Sequence, residues 1–267
     1  MTPAEGPTRR VAAVKVTAEG RRDVERLLPV ETPVAIVADA TTFAVMMATP
    51  SDLEDFATGF LLTEGLISSC GDIREIDVAA VALGVEARVW LQPGVGVALT
   101  ERRRRLAGPT GCGLCGVESL AEAVRPPPRV QGSLSVSRDD IRTALEALAA
   151  GQALGQATRA SHAAGLWRQG QGLVAVREDV GRHNALDKLA GALARAGDVA
   201  PGLLVLTSRV SVEMVQKAAR LGAPVLAAVS APTTLALEAA EQGGITVVAV
   251  ARSDGFEIFT HPERIVP

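Results

Sequence analysis

The stretch that decides the fold runs from Leu203 to Val250 and reads LLVLTSRVSVEMVQKAARLGAPVLAAVSAPTTLALEAAEQGGITVVAV. Its apolar runs Leu203–Leu206, Val225–Val229 and Ile245–Val250 are too uniformly apolar for a sheet with one wet face. Between them, Val212–Leu221 and Thr233–Glu241 are helix-length segments of about ten residues. Short buried strands alternating with such helices predict βαβ units and a parallel sheet covered on both faces. Upstream the pattern continues in a strand over Leu173–Val176 and a helix over Ala185–Arg195. Ser137-Arg138-Asp139-Asp140 predicts a capped helix over Ile141–Ala150, with Ile141, Leu145 and Leu148 on one face.

The first hundred residues read differently. Val11–Thr17, Pro33–Ala38, Phe43–Ala48, Ile73–Val81, Ala87–Leu91 and Val95–Leu99 are strand-like. Ser51-Asp52-Leu53-Glu54 has the pattern of a capping box opening a helix with Leu53, Phe56, Ala57, Phe60 and Leu61 on its apolar face, and Gly65 supplies a stop. The expected organisation is an α/β chain: a disordered tail over residues 1–10, a β-rich α+β portion over 11–105, and an α/β domain over 106–267.

Composition narrows the function classes. The 267 residues are 48% hydrophobic and 21% charged, which suits a packed core rather than a disordered chain. A net charge of −3, 3% aromatics and no Tyr argue against a phosphate-backbone binder or a base-stacking platform. The 24 Arg against 3 Lys, with 45 Ala, fit a coding bias better than a nucleic-acid surface. Met1–Arg10 holds Pro3, Glu5 and Pro7 where an apolar leader would need an unbroken run, and Leu221–Leu237 is broken by Pro224 and Pro232. A soluble cytosolic protein with reduced thiols, without membrane or nucleic-acid partners, is expected.

Two constellations carry chemistry. Cys112-Gly113-Leu114-Cys115, flanked by Gly111 and Gly116, places two sulfurs on one turn. Metal binding, dithiol–disulfide exchange and persulfide handling all use such a pair. A helix over Val117–Val124 and the run Arg102–Arg105 would favour the thiolate. Zinc is disfavoured by ligand count: Cys70 is the sole further cysteine, and His261-Pro262-Glu263 follows the cysteines instead of preceding them as in zinc deaminases. A thioredoxin-like role is disfavoured by chain length and by the position of the pair. The second constellation is a set of strand-to-helix turns: Arg177–Asn184, with Asp187 and Lys188 beyond it; Thr207–Ser211; and Ser230–Thr234. In an open parallel sheet these turns share the carboxyl edge, and Arg182, His183 and Arg209 there suit a phosphate-bearing ligand. Taken singly, Ser211 and Thr233 read as ordinary helix caps.

Thr110-Gly111-Cys112-Gly113-Leu114-Cys115-Gly116 and Phe56-Ala57-Thr58-Gly59-Phe60-Leu61, followed by Glu64-Gly65, resemble blocks of the formate dehydrogenase accessory sulfurtransferases, the FdhD family. So do Asp179–Lys188, Ser208-Arg209-Val210-Ser211 and Phe259–Ile265, in family order from about residue 30 to the C-terminus. Gly111 departs from the hydroxyl residue common before the first cysteine. The resemblance implies a cytidine-deaminase-like three-layer sandwich with a smaller β-rich N-terminal portion and no zinc. It implies a cytoplasmic, dimeric sulfurtransferase in molybdenum cofactor biosynthesis, with a cysteine desulfurase as donor and formate dehydrogenase as the enzyme served. On that reading Cys112 carries the persulfide and Cys115 assists. The bis(molybdopterin guanine dinucleotide) cofactor of molybdenum is bound by Phe259, Thr260, His261, Pro262, Glu263 and Arg264, together with Arg182, His183, Asn184, Asp187, Ser208, Arg209 and Ser230. A non-catalytic chaperone for the same cofactor is the alternative.

Overall fold

In the computed structural model, which describes residues 6–95, 125–252 and 254–267, the three apolar runs form adjacent central strands. In chain order the elements are β1 (Thr8–Thr17), β2 (Gly20–Pro29), β3 (Thr32–Ala38), β4 (Thr41–Ala48), α1 (Leu53–Thr63), β5 (Ile73–Val81) and β6 (Gly84–Leu91). After residue 125 come β7 (Val136–Ser137), α2 (Arg138–Gly151), α3 (Ala153–Thr158), β8 (His162–Arg168), β9 (Gly172–Asp179) and α4 (Arg182–Arg195). The chain then runs through β10 (Leu203–Leu206), α5 (Val212–Arg220), β11 (Val225–Ala228), α6 (Thr234–Gly243), β12 (Thr246–Ala249), β13 (Glu257–Ile258) and β14 (Ile265–Val266). Short 3-10 turns lie at Cys70–Asp72 and Pro262–Arg264. Cys112, Cys115, Arg102–Arg105, the expected helix Val117–Val124 and the expected strand beyond Val95 lie outside the described residues.

The large sheet has the order β13-β12-β11-β10-β8-β9. Strands β10, β11 and β12 are parallel as expected, whereas the β8–β9 hairpin and β13 make the sheet mixed. Residues alternate between two cores. Leu204, Leu206, Leu226, Ala228, Val247 and Ala249 pack with α4, α5 and α6; Leu203, Val205, Val225, Ala227 and Val248 pack with Ile141, Ala144 and Leu148 of α2. The result is three layers, helix over sheet over helix. Strand β8 escapes a reading by propensity because its centre is small. A Cβ on Gly165 would come within 2.9 Å of Leu173 and 3.0 Å of Leu148.

The N-terminal sheet, β4-β3-β6-β5, presents Val34, Ile36, Ala87 and Val89 to Phe56, Ala57 and Leu61 of α1. The expected capping box at α1 does not form. Asp52 takes the N-cap position at φ 52° with no side-chain bond to the helix. Glu54 and Asp55 instead pair with Arg195 of α4. At the other end Gly65 stops the helix at φ 66°, as expected. Helices α1 and α4 cross at two glycines: a Cβ on Gly59 would lie 1.7 Å from the Asp187 carbonyl oxygen, and one on Gly191 would lie 1.9 Å from that of Asp55.

Strands β1 and β2 form a separate hairpin in register from Thr8↔Pro29 to Thr17↔Gly20. It starts inside the stretch expected to be a tail, and Val14 and Val16 on it are exposed. Strand β2 has no apolar face in Arg21–Arg26, so hydrophobic period could not reveal it. The C-terminal block divides into β13, a turn and β14. Strand β14 pairs in parallel with β7, immediately before Ser137 caps α2.

Candidate functional site

Strand β9 ends in Asp179, a fully buried carboxylate on which two segments of the chain meet. One of its oxygens accepts from the Gly181 amide at 2.8 Å and from Asn184 Nδ2 at 2.9 Å. The other accepts from the Thr49 amide at 2.9 Å and from Lys188 Nζ at 2.6 Å. Lys188 also donates to the Thr49 carbonyl, and Asn184 to that of Met47. Gly181 is required here, because a Cβ would sit 2.8 Å from Asn184 Nδ2. The sequence Asp-x-Gly-x-x-Asn-x-x-x-Lys thus builds a closed knot between β9, α4 and the end of β4.

One turn further along α4, Asp187 meets Lys217 of α5 at 2.9 and 3.1 Å, and Thr63 of α1 donates to it at 2.6 Å. Lys217 also reaches Glu64 at 2.8 Å. The ammonium groups of Lys188 and Lys217 lie 5.9 and 5.7 Å from the Phe56 and Phe60 ring centres, a favourable placement for cations in a dry interface. Burial pushes the Asp187 carboxyl up, against the pull of Lys217. Burial resists ionisation of Glu64 too, but Lys217 and Arg125 draw it below the usual carboxylate range. Burial opposes the charge on Lys217, and the two carboxylates override it, so its pKa is raised. Arg177 and Arg195 grip Asp55 at 2.7 and 2.6 Å and complete an ionic seam along the α1–α4 crossing.

The carboxyl edge of the large sheet is zipped together by its turns. Val210 bridges to Pro232, the Thr233 amide donates to the Val210 carbonyl, and the Val250 amide donates to the Ser230 carbonyl. Thr233 caps α6 by accepting from the Ala236 amide, as expected. Ser211 occupies the matching position of α5 yet makes no capping bond. Its Oγ is buried and unpaired, as are Arg182 Nε, His183 Nε2 and Glu213 Oε2. Arg209 is exposed, and Ser208 donates to the Arg209 carbonyl. Burial first, then Lys217 and Arg182, push His183 down to about 3, so its ring is neutral at physiological pH. His162, at the start of β8 on the same edge, is lowered by burial and by Arg182.

Phe259–Arg264 lies at the opposite edge. Thr260 is buried, donating to the Ile245 carbonyl and accepting from the Val247 amide. His261, at φ 46°, has its ring 3.4 Å from carboxylates of Glu241 and Glu263, and its carbonyl accepts from Thr246. Arg264 donates to Thr246 Oγ1 at 3.1 Å. These partners open β12, whereas the zipped turns lie beyond the ends of β10 and β11. The residues expected to form one cofactor site therefore divide between two edges of the sheet.

The model of the FdhD/NarQ family matches residues 29–266 of the chain. The chain belongs to the FdhD/NarQ family. It is 52% identical over 264 residues, 98% of its length and 97% of the relative's, to the sulfur carrier protein FdhD of Agrobacterium fabrum strain C58. It is 50% identical to the protein of the same name from Brucella abortus biovar 1, across 92% of this chain and 93% of that one. A crystal structure described as that of a formate dehydrogenase accessory protein, from Desulfotalea psychrophila, superposes with a TM-score of 0.76 at 27% identity, covering 97% of this chain and 99% of that one.

Within the FdhD/NarQ blocks the structure separates scaffold from available chemistry. Gly59, Asp179, Asn184, Asp187 and Lys188 serve the seam, where both oxygens of Asp187 and the side-chain nitrogen of Asn184 are engaged within the protein. Arg182, His183 and Ser230 stay at the carboxyl edge. Cys112 and Cys115 lie in the undescribed stretch before Arg125, whose carbonyl accepts from Gln216 and whose guanidinium lies 3.5 Å from Glu64. The sequence reading passed over His162, Glu213 and Lys217. A signal existed for the last: Glu213 and Lys217 stand four apart on α5. His162 had none, because β8 itself was not recognised.

Proposed function

We propose that the protein is a sulfur carrier serving formate dehydrogenase, taking sulfur from a cysteine desulfurase and passing it to the dehydrogenase's molybdenum cofactor, its substrate. The observation that carries this reading is the 52% identity, over 98% of the chain, to a protein named sulfur carrier protein FdhD. The Cys112 thiolate attacks the outer sulfur of the desulfurase persulfide. A new S–S bond forms, the desulfurase cysteine leaves as a thiolate, and Cys112 holds the persulfide. For delivery to the substrate cofactor, Cys115 attacks Cys112 Sγ while the persulfide is still in place, and the S–S bond between the two cysteines forms as the bond to the outer sulfur breaks. The outer sulfur departs as hydrosulfide, and a thiol reductant reopens the resulting Cys112–Cys115 disulfide.

The three layers are read as a cytidine-deaminase-like sandwich acting as a cytoplasmic homodimer. Among the described residues no helix is long and apolar enough to cross a membrane. The substrate cofactor, a bis(molybdopterin guanine dinucleotide), meets the His261–Arg264 turn, where the Arg264 guanidinium suits its phosphates.

The test is mass spectrometry of the protein after incubation with a cysteine desulfurase and cysteine. The wild type gains the mass of one sulfur, and Cys112→Ala does not. An adduct persisting in both Cys112→Ala and Cys115→Ala overturns the reading. Complementation of an accessory-deficient strain completes it: formate dehydrogenase activity restored by Cys112→Ala would instead mark a non-catalytic cofactor chaperone.

A further inference from the structure

Two surfaces of the chain stand open, and each carries what the other lacks. In the β1–β2 hairpin, directly opposed residues share a face. Arg9, Val11, Ala13 and Lys15 stand opposite Leu28, Arg26, Val24 and Arg22, so one face carries four cations, four apolar side chains and no acid. The other face sets Arg10 and Arg21 against Glu25 and Asp23, with Arg10 and Glu25 paired at 3.6 Å. Lys15, Arg22 and Arg26 are exposed and make no ion pair among the described residues, and Val11 and Leu28 beside them are exposed too. Residues 8–29 hold six cations and three acids, whereas the rest of the chain holds 21 cations and 27 acids. Within its own chain β2 packs on α3. An isolated two-stranded hairpin is marginal in water, so ten-residue strands this exposed call for a further packing surface.

The four-stranded sheet buries one face on α1 and leaves the other open. Register sets Val45, Ala35 and Glu86 in one row across the open face and Val37, Arg88 and Asp77 in the next, with Glu75 beyond. Val45 and Met47 there are 51% and 46% exposed. Arg88 is already engaged, at 2.8 Å by Glu86 and at 3.6 Å by Asp77, so the face keeps an acidic excess.

We infer that the basic face of the hairpin docks on the open face of the four-stranded sheet in a second copy of the chain, reciprocally about a two-fold axis. This rests on the homodimer proposed above and assigns its interface. The hairpin cations meet Glu75, Asp77 and Glu86, and Val11, Val24 and Leu28 meet Val45, Met47 and the small residues between them. Ten-residue strands make a hairpin face of about 34 by 10 Å. Two such contacts, each covering both partners, bury roughly 1,300–1,400 Å², within the range of stable interfaces. Against a nucleic-acid backbone the interleaved apolar residues would be unused, and the hairpin holds no aromatic for a base or a bilayer surface.

Sedimentation velocity on the full chain gives the test. The wild type is expected to sediment as a dimer that weakens as salt is raised. Reversing the arm in one variant, by Lys15→Glu, Arg22→Glu and Arg26→Glu together, raises the dimer dissociation constant at least about tenfold. Reversing the sheet in another, by Glu75→Arg and Asp77→Arg, does the same. Mixed in equal amounts, the two variants regain a dimer: the acidic arm of one meets the basic sheet of the other, and the unaltered arm and sheet pair as before. Damage to folding alone would not be rescued in this way. Either folded variant keeping the wild-type dissociation constant overturns the inference and leaves the dimer to another surface. A mixture of folded variants that stays monomeric overturns it as well. A wild type that is monomeric at every concentration removes the homodimer together with the inference. If the sheet variant fails to fold by circular dichroism, the arm variant and the salt series decide. Persulfide loading of Cys112, read by mass, tests the carrier reading separately.

Discussion

Two regions of the molecule draw on the same ten residues, Asp179–Lys188, and treat them in opposite ways. In the seam between α1 and α4, Asp179, Asp187 and Lys188 are buried with partners, and the buried Asn184 donates from Nδ2 to Met47 and Asp179. At the carboxyl edge, one nitrogen each of Arg182 and His183 of the same motif is buried and unpaired. Full satisfaction of a buried network rigidifies and specifies an interface, whereas a buried polar group left unpaired costs stability. A motif read as a binding loop is thus largely a fastener, with Arg182 and His183 each left with an unpaired nitrogen at the edge.

The contrast can be broken by substitution, with the seam failing first. Gly59→Val is expected to abolish the α1–α4 crossing, because its Cβ would lie 1.7 Å from the Asp187 carbonyl oxygen. Circular dichroism should show loss of the cooperative melt or a cost above about 4 kcal/mol. Lys188→Met leaves Asp179 buried without its cation, at about 3–5 kcal/mol in urea unfolding. A smaller effect tests the edge. His183 is held neutral down to about pH 3, while in the unfolded chain it protonates near 6.5. The unfolded state binds the extra proton between those values, so stability falls as pH drops through that window, by up to about 1.4 kcal/mol per pH unit. His183→Gln should remove that component when urea midpoints at pH 7, 5 and 4 are compared. The smallest pair is the sharpest: Thr233→Ala should cost about 1 kcal/mol, the value of a working cap. Ser211→Ala, at the same position of α5 but with an unbonded hydroxyl, should stay within about 0.5 kcal/mol of wild type in the absence of ligand. Equal losses for the two serve as evidence that Ser211 is an ordinary cap.

What could be read from the sequence follows from how each signal is written. Leu203–Leu206, Val225–Ala228 and Thr246–Ala249 were legible because strands buried on both faces are continuous apolar runs. Strands β2 and β8 were not: the first is charged and exposed, and the second is small at its centre because Leu148 and Leu173 pack over Gly165. The capping box at Ser51–Glu54 misled because Glu54 and Asp55 answer to Arg195, some 140 residues away. No local pattern records such a pairing. The same applies to the site. Strand-to-helix order placed Arg182, His183 and Ser211 at one edge, but it could not show that Asn184 and Asp187 turn inward, or that Phe259–Arg264 lies at the other edge.

The pairing of β14 with β7 sets an order of assembly during synthesis. Val136 and Ser137 wait for Ile265 and Val266, made some 130 residues later. At about 5–20 residues per second that is a delay of roughly 6–26 s. The N-terminal hairpin and four-stranded sheet have all their strand partners long before then, whereas the strand leading into α2 lacks its mate until Ile265 and Val266 are made. Deleting Ile265 and Val266 would act on that late step, after the N-terminal strands have already paired.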